Sequence, residues 1–119
     1  MNVALWVLQV LLGLFFLFHA FVMLRPSPRG MKYILEMSPP LRRFAGIAEG
    51  LAGLALVIPP LFRVLTWLTP LAAAGLVLLM LGAIVFHIRR REYSNVGFNT
   101  VLGVLAGVIA WGRFGPYPF

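Results

Sequence analysis

The sequence contains no cysteine in 119 residues. That excludes disulfides, thiolate-bound zinc or iron–sulfur centres, and a thiol relay, so a membrane thiol oxidoreductase is excluded as a self-contained activity. Charge is also scarce, at 11% of residues, where a soluble domain carries roughly 25%. What fills the space is apolar: 61% of residues are hydrophobic and the mean hydropathy is +0.96. A soluble chain this short would leave about a third of its unfolded-state surface in contact with solvent. So much apolar material cannot be hidden that way, and lipid must be the solvent for much of it. There is no nucleotide-binding loop, no metal-ligand spacing and no nucleophile–base pattern. Nothing in the residues points to an enzyme acting on its own.

Four apolar runs organise the chain, which reads as one membrane domain over 1–119 with spans at about 3–24, 39–58, 70–88 and 95–112. The fold class expected is all-α, an integral membrane four-helix bundle with short interfacial segments. The first run is interrupted only by Gln9 and His19, and its length as a helix, roughly 33 Å, covers the hydrocarbon core. It has no basic residue before Val3 and no small-residue cleavage site, so it reads as a retained helix and not a signal peptide. Arg25–Gly30 is a proline-containing turn, followed by a surface segment over 30–37 in which Met31, Ile34 and Leu35 recur at helical spacing. Ser38-Pro39-Pro40 and Thr69-Pro70 read as N-caps, Pro59-Pro60 as the stop of the second span, and Ser94 or Asn95 as the start of the fourth. The tail from Phe114, aromatic and proline-rich, reads as an interfacial anchor.

The net charge of +7 reads as a set of topology determinants facing anionic lipid, with no nucleic-acid partner. With four crossings, the first and third connections share one side. They hold Arg25, Arg29, Lys32, Arg42, Arg43, Arg89, Arg90 and Arg91, eight of the ten basic residues; Arg63 and Arg113 lie opposite. The positive-inside rule then places both termini on the non-cytoplasmic side, of the plasma or inner membrane if the source is bacterial.

Glu49 is the most informative residue, because a carboxylate within a span is expensive and faces protein or a water-filled cavity. Its helical neighbours are Ala45, Gly46, Ala52 and Gly53, and Gly46–Gly50 is a GxxxG pattern that permits close helix approach. Gly46, Gly50, Gly53 and Gly103 are accordingly the candidate packing residues. His19 and Glu49 each lie six residues from a basic residue, Arg25 and Arg43, which sets both roughly 9 Å inside the same end. Asn99 shares a face with Gly103, Ala106 and Ala110, and His87 stacks with Met80 and Ala83. Glu49, His87, His19 and Asn99, one from each span, are therefore the candidates for ligand binding or proton relay. The plainer alternative is a buried carboxylate that fixes helix register. The cluster could hydrogen-bond the carbonyl oxygens of a quinone. Haem is disfavoured, since His19 and His87 differ in depth and no other haem signature is present. Phe15, Phe16, Phe18 and Phe21 read as packing or lipid-facing side chains.

The stretch Gly46–Leu54, the stop at Pro59, Thr69-Pro70-Leu71-Ala72-Ala73 and Met80–Arg89 resemble the DoxX-like family. The resemblance covers roughly residues 10–113; its first span departs from the pattern by carrying Met23 where a Lys is expected. It implies a four-helix membrane fold and an accessory or quinone-linked role in a membrane redox system, with Glu49 and His87 as the positions carried over. It also implies a membrane or membrane-associated redox partner; a homo-oligomer is open. Two other readings compete. A proton-coupled small transporter resembling the small multidrug resistance proteins would share the length, four spans and a membrane Glu, but theirs lies in the first helix and this first helix has none. A structural or chaperone-like membrane protein without small-molecule chemistry would use Glu49 for packing alone.

Overall fold

The computed structural model describes residues 2–25 and 32–118, with the backbone alone at residues 32 and 33. Four long helices carry the chain: α1 (Asn2–Leu24), α3 (Pro39–Leu61), α4 (Leu68–Arg89) and α5 (Tyr93–Phe114). A short α2 (Lys32–Glu36) lies between the first two. The turn expected over 26–30, Met31 and the last residue, Phe119, fall outside the described residues. Each long helix has the length and composition to cross a membrane, and no strand occurs among the described residues. The protein is an all-α, multi-pass membrane bundle.

The helices form a ring in which α1 touches α3 and α5, and α4 touches the same two. Leu12, Phe16, Leu56, Leu76, Met80 and Ile109 fill its centre. Large apolar side chains such as Leu11, Phe18, Leu51, Leu78 and Val101 point outward, which is stable only against lipid. Glycines make the α1–α3 seam a close one. A Cβ on Gly53 would stand 2.9 Å from the Gly13 carbonyl oxygen, and one on Gly50 would stand 3.4 Å from the Ala20 Cβ. Gly46 faces Leu24 and Met23 across the same seam, whereas Gly103 faces Met80 of α4.

Several helix ends differ from the sequence expectation, and backbone hydrogen bonding explains each. The second span does not stop at Pro59-Pro60; α3 runs through both to Leu61. Two prolines in a helix leave two carbonyls, four residues earlier, without N–H donors. Those carbonyls belong to Ala55 and Leu56, and other helices supply the missing donors. The Thr69 hydroxyl donates to the Ala55 oxygen at 2.8 Å, and Gln9 Nε2 donates to the Leu56 oxygen at 2.9 Å. Thr69 is therefore not the N-cap of α4. That position is Trp67, and Thr69 sits in the first turn with its hydroxyl committed to α3. Ser38 does occupy the N-cap position of α3, with Pro39 and Pro40 behind it, but makes no side-chain capping bond.

Gln9 extends this network. Its Oε1 accepts from Arg113 Nε at 2.7 Å, and the Arg113 guanidinium also donates to Asn2 Oδ1 and to the Tyr117 carbonyl. Arg113, only 3% exposed, lies 5.9 Å from the Trp6 ring centre. The end of the bundle that holds the termini is thus closed by side chains from α1, α4 and α5 bonded to one another and to backbone carbonyls of α3. At the opposite, basic end, α4 finishes at Arg89 and α5 begins at Tyr93, with Glu92 and not Ser94 or Asn95 at its N-cap. The Glu92 N–H donates to the His87 carbonyl and the Arg91 N–H to the Ile88 carbonyl, a Schellman arrangement that places Arg91 at φ 57°.

Candidate functional site

The α1–α3 seam sets up the centre of the site. Small residues on both helices bring them close enough for His19 on α1 to reach Glu49 on α3, and Nδ1 and Oε2 share a 2.6 Å hydrogen bond. The proton of that bond rests on the imidazole or on the carboxyl, and its position decides which group donates. Glu49 is 4% exposed, so the imidazole meets a carboxyl group that has almost no access to solvent. No described residue donates to its other oxygen. Phe15 stacks on the His19 ring at 5.8 Å and packs edge-on against Phe98, which fixes the imidazole plane. Phe16 is buried in the core, while Phe18 and Phe21 are exposed to the outside.

His87 and Asn99 approach from the other half of the ring. His87, 3% exposed, is joined through Nδ1 to Glu92 Oε1 at 2.9 Å. The Schellman turn explains the pairing, because it folds Glu92 back over the last turn of α4. Arg90 Nε donates to the same Glu92 oxygen at 2.9 Å, and Arg90 also donates to Glu36 of α2 at 2.5 Å. This chain, Glu36–Arg90–Glu92–His87, latches the short surface helix to the α4–α5 corner. Burial disfavours the Glu92 carboxylate, but the hydrogen bonds from His87 and Arg90 outweigh it and hold its pKa below the usual carboxylate range. The hydrogen bonds to Glu36 and then Glu92 raise that of Arg90. Across the bundle, Arg42 donates to the Met23 carbonyl at the end of α1, bringing a positive charge from α3 to the place where the first span has none of its own.

Asn99 is 9% exposed, and its amide makes no hydrogen bond with any described residue. Its polar atoms are not among the fully enclosed unpartnered atoms of the described residues, so water or a ligand can meet them. Space for one is present. A cavity of about 840 Å³ between α3 and α4 is lined by His19, Glu49, His87 and Asn99 together with apolar side chains. The same four residues, with Asn95 and Phe98, border a smaller chamber of about 110 Å³, room for a few waters at about 30 Å³ each. The four polar side chains thus form the partition between a ligand-sized groove and a small polar recess. They can offer a carboxyl, an imidazole and a free amide to a molecule in the groove.

Sequence reasoning read Gln9 as a break in the first run, Thr69 as a cap and Asn95 as a span start, gave Glu92 no role, and treated Arg113 only as a charge at the membrane edge. For Gln9 and Thr69 a signal existed: the carbonyls that Pro59 and Pro60 orphan demand donors from elsewhere. Glu92 was visible as one of three acidic residues in the chain, but its pairing depends on the left-handed turn at Arg91. Among the described residues no group of three or more His or Glu stands close enough to hold a metal ion.

A four-helix, multi-pass bundle with a carboxyl–imidazole pair and an open amide turned onto an intramembrane cavity defines a class of integral membrane protein. Within that class the chain belongs to the DoxX-like family, whose model matches residues 7–109. Neither the curated proteins nor the solved structures compared with it give a match.

Proposed function

We propose that this DoxX-like protein is an accessory, quinone-linked subunit of a membrane redox system, and that its polar intramembrane site around Glu49 receives the quinone head. The observation that carries the reading is the Asn99 amide, nine-tenths buried and without a partner among the described residues, facing the same cavity as the Glu49–His19 pair. A quinone oxygen accepts from an amide N–H or a protonated carboxyl, and a quinol hydroxyl donates to a carboxylate. A pair that already shares a proton serves both forms. The ring needs apolar walls, which the groove supplies. On the positive-inside rule the basic connections face the cytoplasm, and that side is the proposed docking face for the redox partner.

The test is purification from native membranes in mild detergent, with mass spectrometry of everything that stays bound. The expected result is a quinone or a co-purifying redox protein with the wild-type chain, and loss of the quinone from Glu49→Gln. Recovery of neither, from membranes shown to contain quinone, contradicts the proposal.

A further inference from the structure

The 840 Å³ cavity is far larger than a polar head needs, and its shape along the helices is informative. Its α4 wall begins at Leu68 and ends at His87, which corresponds to roughly 28 Å of helix, close to the thickness of the hydrocarbon core. The floor is kept low by small residues. On α3 these are Ala48, Ala52 and Ala55, and on α4 they are Ala72, Gly75 and Gly82. Gly75 and Gly82 stand two turns apart on one face, and a Cβ built on either meets nothing within 4 Å. Glycines in close-packed seams leave an added Cβ closer to its neighbours than ordinary van der Waals contact, as Gly53 (2.9 Å) and Gly103 (3.3 Å) do here. These two border empty space instead.

The groove opens sideways. Phe44, Leu51 and Leu78 line it and are also 64–70% exposed on the outer surface of the bundle, so a molecule dissolved in the bilayer reaches it without crossing water. Polarity is confined to one part. Glu49, His87 and Asn99 lie toward the basic end, whereas the wall from Ala52 to Ala55 on α3 and from Leu68 to Leu76 on α4 is apolar. A phospholipid acyl chain would fill the apolar part and leave the Asn99 amide unsatisfied. A charged head would incur the cost of a buried ion.

We infer that the α3–α4 groove holds one lipid-soluble molecule with a single long tail, which enters sideways from the bilayer with its uncharged, oxygen-bearing head against Glu49 and Asn99 and its tail laid over Gly75. This deepens the proposed function and rests on it for the head, while the tail rests on the groove alone. Long-tailed quinones and fatty alcohols share this chemistry, and the experiment separates them.

Binding is measured on the full chain in detergent for three probes: a decyl-tailed benzoquinone, the same ring without a tail, and decyl alcohol. Gly75→Leu puts a side chain into the lane from a position where an added Cβ has nothing within 4 Å. It is expected to weaken the tailed quinone by about tenfold or more, as overpacking does in a filled site, and to leave the tailless ring within about threefold of wild type. Gly97→Leu, on α5 away from the groove and equally free of neighbours, controls for the added leucine and is expected to change neither. Unchanged binding of the tailed probe to a folded Gly75→Leu protein overturns the inference. If decyl alcohol binds, and loses binding in Gly75→Leu, while neither quinone binds wild type, the tail site stands and the quinone reading falls. If no probe binds wild type, both fall.

Discussion

Two groups of buried polar side chains lie at different levels of the bundle, and they are solved in opposite ways. At the end that holds the termini, Gln9, Thr69 and Arg113 donate to protein acceptors: the Leu56 and Ala55 carbonyls, Gln9 itself, Asn2 and Tyr117. The demand they meet is internal, since Pro59 and Pro60 created two of those acceptors. Nearer the basic end, Glu49 and Asn99 turn polar atoms toward a cavity, and Asn99 has no partner among the described residues. A polar group that completes a protein hydrogen bond contributes to folding. One left open toward a cavity marks a place where something else completes it.

That distinction makes the two groups respond differently to substitution. Gln9→Leu leaves both the Leu56 carbonyl and part of the Arg113 guanidinium without Gln9, and we expect a loss of about 3 kcal/mol in unfolding free energy, measured by reversible denaturation in mixed micelles. A loss below about 0.5 kcal/mol, the usual size for a surface substitution, would remove Gln9 from the structural group. Thr69→Val keeps the shape but strips the hydroxyl from the Ala55 carbonyl. Interhelical hydrogen bonds in membranes average about 0.6 kcal/mol, so a loss near 1 kcal/mol is expected by the same measurement. Either variant should leave ligand binding at the groove intact in the folded fraction.

The latch between α2 and the α4–α5 corner should show the smallest effect, and it is the one that depends on pH. The folded pKa of Glu92 is held down, so its contribution is present above the usual carboxylate range and is lost as pH falls through the depressed value. Hydrogen–deuterium exchange, corrected for the intrinsic pH dependence, should therefore show faster exchange of the α2 amides in acid. Glu92→Gln should shrink that step, and Glu92→Gln combined with Glu36→Gln should abolish it, because Arg90 holds both carboxylates. Exchange that is flat with pH in the wild type, or a step that survives in the double variant, would show that the Glu36–Arg90–Glu92–His87 chain does not hold α2.

Much of the bundle could be read from residue order. Four apolar runs separated by prolines and basic clusters define the helices, and the small residues around Glu49 turn it inward. His19 and Glu49 stand equally far in sequence from Arg25 and Arg43, which is why they meet at one level. The rest depends on tertiary information. Proline signals a helix stop unless another helix supplies donors to the freed carbonyls, and the sequence does not reveal that Gln9 and Thr69 lie within reach. Arg91 in a left-handed turn is not the residue that usually marks such a turn, so the return of Glu92 to His87 was hidden. The groove is a space between helices, and no single residue encodes it. Gly75 and Gly82 have nothing to pack against, but so does Gly97 away from the groove, so the glycines alone do not locate it.

The contrast between filled and open polar groups is tested most directly at Asn99. In Asn99→Leu, unfolding free energy and binding of the tailed benzoquinone are measured on the same preparation. Removing an amide that no protein group satisfies should leave stability unchanged or raise it by up to about 1 kcal/mol, while quinone binding falls by about tenfold or more. A loss of stability comparable to that of Gln9→Leu, with quinone binding unaffected, would place Asn99 among the structural groups and contradict the account.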